Sequence, residues 1–290
     1  MTIMTTGFIP CGAKMPIIAL FAGALFGGSA LVATSAYFIG VAAVVISGIM
    51  LKKFKAFAGE PAPFVMELPA YHAPSASNVL RSMWERGWSF IKRAGTIILL
   101  STIILWFLSN FGFADGGFGW VEDSDASLLA AVGSVIAVIF IPLGFGNWQA
   151  AVATITGLIA KEEVVSTMQV FYPGDLIANI AMAFTAASAY SFMVFNLLCA
   201  PCFAAMGAIK REMNNAKWTW AAIGYMCGFA YVASLIVYQL GGLLTGTVTF
   251  GVWTVVALAA LAAIIYLLVR KGYQGEDRSH QLSSVAAAVR

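Results

Sequence analysis

Long runs without charge recur along this chain, and they restrict its fold more than any other feature. Apolar stretches cover about 30–51, 94–110, 176–199, 218–240 and 250–269, each near the ~20 residues that a helix needs to cross a hydrocarbon core of ~30 Å. A sixth, 147–170, is helical in pattern but carries Lys161, Glu162 and Glu163 near its middle. Two shorter stretches, 15–28 and 127–141, are marginal for crossing and read as half-helices or re-entrant segments. In lipid every backbone polar group must be paired internally, so only helices and closed barrels span. Nothing here has the roughly ten-residue alternation of a barrel strand. The expected fold is all-α: a polytopic helical membrane protein of about seven to eight membrane segments, broken or re-entrant helices included.

Composition agrees. The 290 residues are 61% hydrophobic and 10% charged, against about 45–50% and about 25% in soluble domains. That excludes an ordinary soluble globule, a disordered chain, collagen, a coiled coil and a disulfide scaffold. The formal charge of +3 is too small to imply a nucleic-acid partner. Met1–Gly12 carries no basic n-region and no cleavage site, so the first helix is expected to serve as its own insertion signal.

The placement of charge orients the chain. Lys52, Lys53, Lys55, Arg81, Arg86, Lys92 and Arg93 lie between two spans, Lys210, Arg211 and Lys217 in a later connection, and Arg270, Lys271, Arg278 and Arg290 in the tail. The loops at 111–125 and 171–175 hold Asp115, Glu122, Asp123, Asp125 and Asp175 and no basic residue. By the positive-inside rule the basic segments, and with them the C-terminus, are cytoplasmic. The chain then divides into a broken helix and following span (1–53), a cytoplasmic strap and interfacial helix (54–93), a transmembrane bundle (94–270) and a tail (271–290). Pro61, Pro63, Pro69 and Pro74 make the strap extended. From Asn78, Leu80, Met83, Trp84, Trp88 and Ile91 oppose Arg81, Glu85, Arg86 and Lys92 at helical spacing. They make an amphipathic helix for the inner membrane surface, or a plain linker.

Of the sixteen basic residues, only Lys14 and Lys161 stand in apolar sequence, where ionisable groups mark function or are paired off. Lys161 has Glu162 or Glu163 as local partners, and Lys14 has the option of snorkelling to an interface. One lysine cannot readily neutralise both glutamates, because adjacent side chains diverge by about 100° on a helix. A second irregularity occurs twice: Pro10-Cys11 and Pro201-Cys202 each set a thiol after a proline in apolar sequence. In a continuous helix Pro10, Pro201 and Pro16 free the carbonyls of Thr6, Leu197 and Gly12. Bare carbonyls at membrane depth line a cavity or bind something, and paired interrupted segments point to a transporter's midplane site. Thiol, carboxylate and carbonyl donors together suit a divalent transition metal.

Other signals are weak. Gly7 to Lys14 nearly spells a phosphate-binding loop, but Ala13 intrudes and Met15 stands where Ser or Thr belongs. Cys199-Ala-Pro-Cys202 lacks a thioredoxin context. His72 and His280 lie in the strap and the tail, and no nucleophile–base–orienter set exists, so an enzyme is not expected.

Thr6-Gly-Phe-Ile-Pro-Cys-Gly-Ala-Lys-Met-Pro16 resembles the second of the two gate motifs of FeoB-type ferrous iron transporters. Gly59-Glu-Pro-Ala-Pro-Phe-Val-Met-Glu-Leu-Pro-Ala-Tyr71 resembles the stretch after that family's next helix. Trp84-Glu-Arg, Ala94-Gly-Thr, Asn147-Trp-Gln-Ala, Gly157-Leu-Ile-Ala-Lys-Glu162 and Pro201-Cys202 follow in the family's order, over roughly 1–240. The resemblance implies import of Fe²⁺ across a bacterial inner membrane, with Fe²⁺ as cargo and no permanently bound cofactor. It makes Cys11 the gate cysteine, Lys161-Glu162 the intramembrane pair and Cys202 the later thiol. The chain departs from the pattern in three ways: it has no GTPase domain or first gate motif, Glu163 replaces an apolar residue, and Cys199 stands where cysteine is unusual.

The expected site is therefore Cys11, Cys202, Glu162 and Glu163 as metal ligands, supported by Lys161, Lys14, Pro10 and Pro201. The expected partners are a GTPase-bearing N-terminal portion and membrane lipid, with a homo-oligomer left open. The alternative is a non-conducting scaffold or a small-molecule (nucleoside-like) permease subunit of the gate-motif group.

Overall fold

The computed structural model describes residues 2–54, 57, 75–114, 117–121 and 127–270. Most of the proline-rich strap, His72 and the tail after Arg270 with His280 lie outside these residues.

The short helix α1 (Thr2–Thr6) gives way to an irregular stretch and a 3-10 turn at Gly12–Lys14. There α2 (Met15–Phe26) begins, with Pro16 in its first turn, where a missing N–H costs nothing. A left-handed Gly27 ends it, and α3 (Ala30–Lys52) follows. At 23 residues α3 is about 35 Å long, enough to cross. α4 (Ala76–Asn110) is one helix of 35 residues. The expected interfacial helix and the expected span at 94–110 are its two halves, so the boundary expected at 93 falls inside one continuous rod. A two-stranded antiparallel hairpin, β1 (Phe111–Ala114) with β2 (Gly117–Trp120), occupies the loop after it, an element the sequence reading lacked.

α5 (Leu128–Phe140) and α6 (Trp148–Ile159) form a pair bent by 98° around a 3-10 turn at Ile141–Leu143. The stretch 127–141, left open between spanning and re-entrant, is thus one arm of a bent pair. Gly144 takes φ +86 at the bend, and a Cβ there would meet the Tyr238 ring at 2.1 Å, so only glycine closes this turn. The run expected as one helix over 147–170 is broken: α6 ends at Ile159, Ala160 is extended (φ −144, ψ 135) and α7 (Glu163–Phe171) starts afresh. The run expected over 176–199 is broken too, into α8 (Leu176–Ala183) and α9 (Ala186–Leu198). Thr185 sets this second break as a reciprocal cap, its Oγ1 accepting the Ser188 N–H at 3.2 Å while Ser188 Oγ accepts the Thr185 N–H at 2.9 Å. α10 (Phe203–Met213), α11 (Ala216–Leu244) and α12 (Val252–Val269) complete the chain.

Among the described residues, four apolar stretches are long enough to cross, Ala30–Lys52, Ala186–Met213, Ala216–Leu244 and Val252–Val269, and five if the bent pair counts as one. The molecule is an all-α, multi-pass membrane protein. Its core is α9, buried from Ser191 to Leu198 against α11 and α2. Leu31 and Phe38 of α3, Val135 and Val138 of α5, and Val252 of α12 stay exposed, as lipid-facing positions do.

The bend in the α5–α6 pair leaves carbonyls that lipid cannot satisfy. Buried side chains take them up: Ser191 Oγ donates to Leu143 O at 2.9 Å, and Gln239 Nε2 donates to Pro142 O at 2.9 Å. Thr254 Oγ1 donates to Gln239 Oε1 at 3.1 Å, and the Ser191 and Ser234 hydroxyls lie 2.7 Å apart. This polar seam, not proline alone, holds the break within an apolar bundle.

Candidate functional site

Each of the two Pro-Cys dipeptides lies between the end of one helix and the start of the next. Cys11 caps the 3-10 turn in an extended conformation (φ −95, ψ 166), and Cys202 caps α10 likewise (φ −60, ψ 160). Neither side chain bonds a backbone N–H of its own helix, so both sulfurs are left to other work. Cys11 is exposed and Cys202 half-buried. α3 approaches the first break because residue 40 is glycine. A Cβ there would lie 2.8 Å from Pro10 Cδ and 2.9 Å from Phe8 O.

The helices do not run through the prolines, which changes the fate of the three carbonyls expected to be freed. Thr6 O accepts the Ile9 N–H at 3.1 Å, and Gly12 O accepts the Met15 N–H. Leu197 O takes a side chain instead: Lys14 Nζ donates to it at 2.5 Å and to Gly7 O at 3.1 Å. Lys14 is 2% exposed. It therefore does not snorkel but joins the first break to the end of α9.

Lys161 is 1% exposed, and its Nζ donates to Cys199 Sγ at 2.9 Å. The expected local pair with Glu162 or Glu163 does not form. The break at Ala160 turns the lysine inward and leaves Glu162 exposed. Among the described residues the ion pair is Arg81 with Glu85, at 2.9 Å on the outside of α4.

Cys11, Cys202, Lys14, Lys161 and Pro201 line one cavity of about 370 Å³, with Glu212 of α10 on its border. Glu162 and Glu163 are not in that lining. Glu163 borders a different cleft of about 300 Å³. Among the described residues, no three of His, Cys, Asp and Glu are grouped so as to hold a metal ion. The structure thus gathers two thiols and two ammonium groups and keeps the carboxylates of the α6–α7 break outside. Two sulfurs without a third ligand suit brief contact with a soft or borderline cation rather than permanent retention.

Two further groups escaped the sequence reading. Cys199 was noted as a departure and as half of a weak C-x-x-C, yet it holds Lys161. Asn196, fully buried one turn earlier on α9, has an Oδ1 with no hydrogen-bond partner. Only the polarity of Asn196 in so apolar a stretch could have singled it out.

Residues 33–86 match the family described as ferrous iron transport protein B C terminus, and residues 91–216 match that described as nucleoside recognition, named Gate. The Fe(2+) transporter FeoB of Staphylococcus aureus is 38% identical over 247 residues, covering 83% of this chain and 36% of that protein. That of Methanocaldococcus jannaschii is 37% identical over 255 residues, covering 84% and 37%. That of Salmonella typhimurium is 31% identical over 335 aligned positions, covering 96% and 43%. The chain spans less than half the length of these relatives, whose names describe them as transporters. No solved structure matches. The motifs, the helical membrane fold and these likenesses agree, and the chain belongs to the FeoB family of ferrous iron transport proteins, as a C-terminal membrane portion.

Proposed function

We propose that this chain is the membrane portion of a ferrous iron importer and that the ion passes through the cavity between its two Pro-Cys breaks. One observation carries the reading: Cys11 and Cys202, far apart in sequence, line the same cavity. A ferrous ion meets two soft donors there. Fe²⁺ is weakly held among first-row ions, which suits conduction, since an ion bound too well does not leave. Coordination by thiols displaces their protons, and two thiolates offset the charges of Lys14 and Lys161 as the cation enters. Glu162, exposed at the α6–α7 break, is the proposed carboxylate that accepts a released proton or hands the ion on. Transport depends on a GTPase-bearing N-terminal portion, in a bacterial inner membrane with the C-terminus cytoplasmic. The ferrous reading rests also on the relatives' names. The nucleoside-recognition description of residues 91–216 supports a second reading, a small-molecule permease subunit.

The test is uptake by the complete transporter. Cys11→Ser and Cys202→Ser each lower Fe²⁺ uptake by about tenfold or more, at least the scale on which losing an outer-shell partner of a metal ligand acts, at unchanged membrane abundance. Parent-level uptake in both variants removes the thiol cavity from the path. Uptake of a labelled nucleoside in place of iron selects the second reading.

A further inference from the structure

Lys161 and Cys199 are two reactive side chains in direct contact, and the iron path uses the first only as a charge and the second not at all. Each is 1% exposed, and the amine lies 2.9 Å from the sulfur. The thiol proton points elsewhere, because Cys199 Sγ donates to Asn196 O at 3.6 Å. A sulfur lone pair therefore faces the amine. The contact joins two helix breaks: Lys161 follows the extended Ala160 between α6 and α7, and Cys199 caps the C-terminal end of α9. Lys14 makes no such pair, since its hydrogen bonds go to two backbone oxygens.

Access selects the reagent. Polar oxidants reach exposed thiolates first, and a buried thiol is inert to them, so exposed Cys11 rather than Cys199 meets peroxide. Dioxygen is apolar and dissolves in hydrocarbon, and apolar cavities admit apolar guests. Lys161 lines the thiol cavity together with Ile3, Ile9, Ala205 and Ala208, so such a guest arrives beside the amine.

We infer that Lys161 and Cys199 are a dioxygen-dependent crosslinking site, closed by one oxygen atom between Nζ and Sγ. The ammonium sheds a proton through the cavity, and the amine and the thiol then each give up one hydrogen. N–H, S–H and O–O bonds break, and N–O and O–S bonds form. Dioxygen takes two electrons from nitrogen and two from sulfur, leaving one atom in the bridge and the other as water. A single atom between nitrogen and sulfur spans nearly the separation that the hydrogen bond already sets, so the crosslink forms without a shift of either helix. It removes a positive charge from the cavity wall and ties the α6–α7 break to the end of α9. A dithiol reverses it, two equivalents supplying the electrons and protons that return amine, thiol and water. Only the consequence rests on the iron-path reading: in air, where Fe²⁺ is itself oxidised, the bridge halts transport.

Chymotryptic mapping of the purified full chain in detergent tests this, with one sample kept anoxic and one exposed to air. The air sample is expected to yield a joined pair of fragments, with fragment spectra locating the bond at Lys161 and Cys199. The mass of the pair is the sum of the two plus one oxygen and minus two hydrogens, and dithiothreitol restores the separate fragments. Cys199→Ser and Lys161→Arg each abolish the pair. No joined pair in air, a pair without the added oxygen, or an equal yield in the anoxic sample overturns the site. So does a bridge that persists in either variant or that ends on Cys202 or Cys227. These masses need no iron, so they are decided apart from the transport reading. Vesicles of the complete transporter, exposed to air and then assayed without it, are expected to lose Fe²⁺ uptake reversibly with dithiothreitol, and Cys199→Ser is expected to keep it. A bridge without that loss, or a loss that Cys199→Ser shares, keeps the crosslink and refutes its action as a brake.

Discussion

Lys14 turns a charge that lipid would reject into a bond between two parts of the chain remote in sequence. Its amine donates to Gly7 O and Leu197 O, so its removal strips one part-buried and one buried acceptor at once. Lys14→Met is expected to lower the unfolding midpoint in detergent, at a cost of about 1–3 kcal/mol for each carbonyl left bare, while Lys14→Arg recovers part of it. That Lys14 and Lys161 matter was legible in the sequence, because every other basic residue follows the positive-inside pattern. Their partners were not legible. Leu197 O and Cys199 Sγ are brought near only by folding, and the nearby glutamates were the misleading local choice. The two thiols were legible for the same reason as the lysines, as polar groups set next to prolines in apolar sequence.

Among the elements, the breaks separate into those that the sequence spells out and those that packing imposes. Pro10 and Pro201 announce theirs. The break at Thr185 had a signal, a Thr-x-x-Ser reciprocal cap, hidden inside an apolar run that read as continuous. The break at Ala160 has no proline or glycine within it. It follows from the burial of Lys161 and from Gly157, where an added Cβ would sit 2.5 Å from Val164 Cγ2 of α7. The long α4 was misread because its polarity changes halfway while its helical spacing does not. At this scale the closest fit is between α3 and the first break. Gly40→Ala puts a methyl group against Pro10 and the Phe8 carbonyl. It is expected to destabilise by about 1–3 kcal/mol, as overpacking does, read as a lower midpoint and as increased proteolysis between α1 and α2.

For the whole molecule the proposed orientation, with the basic connections cytoplasmic, is one that chemical labelling can check. The cavity that Cys11 lines is bordered by Glu212, beside the basic connection at 210–217, and Ser166 lies on α7, which leads into the acidic loop at 171–175. With Cys11 as the sole cysteine, a membrane-impermeant maleimide is expected to label it in inverted vesicles and not in right-side-out cells. A lone cysteine introduced by Ser166→Cys is expected to give the reverse. Labelling of both from one face contradicts that orientation. The all-helical class and the crossing stretches of α3, α11 and α12 were visible in composition and run length, whereas the 98° elbow between α5 and α6 was not, because the seam that secures it draws on α9, α11 and α12 together. Because a single ammonium holds the first break to the end of α9, the two sulfurs form one mechanical unit. On the iron-path proposal, any stroke that parts them must first unlatch that amine from two oxygens, which makes Lys14 a latch on the route.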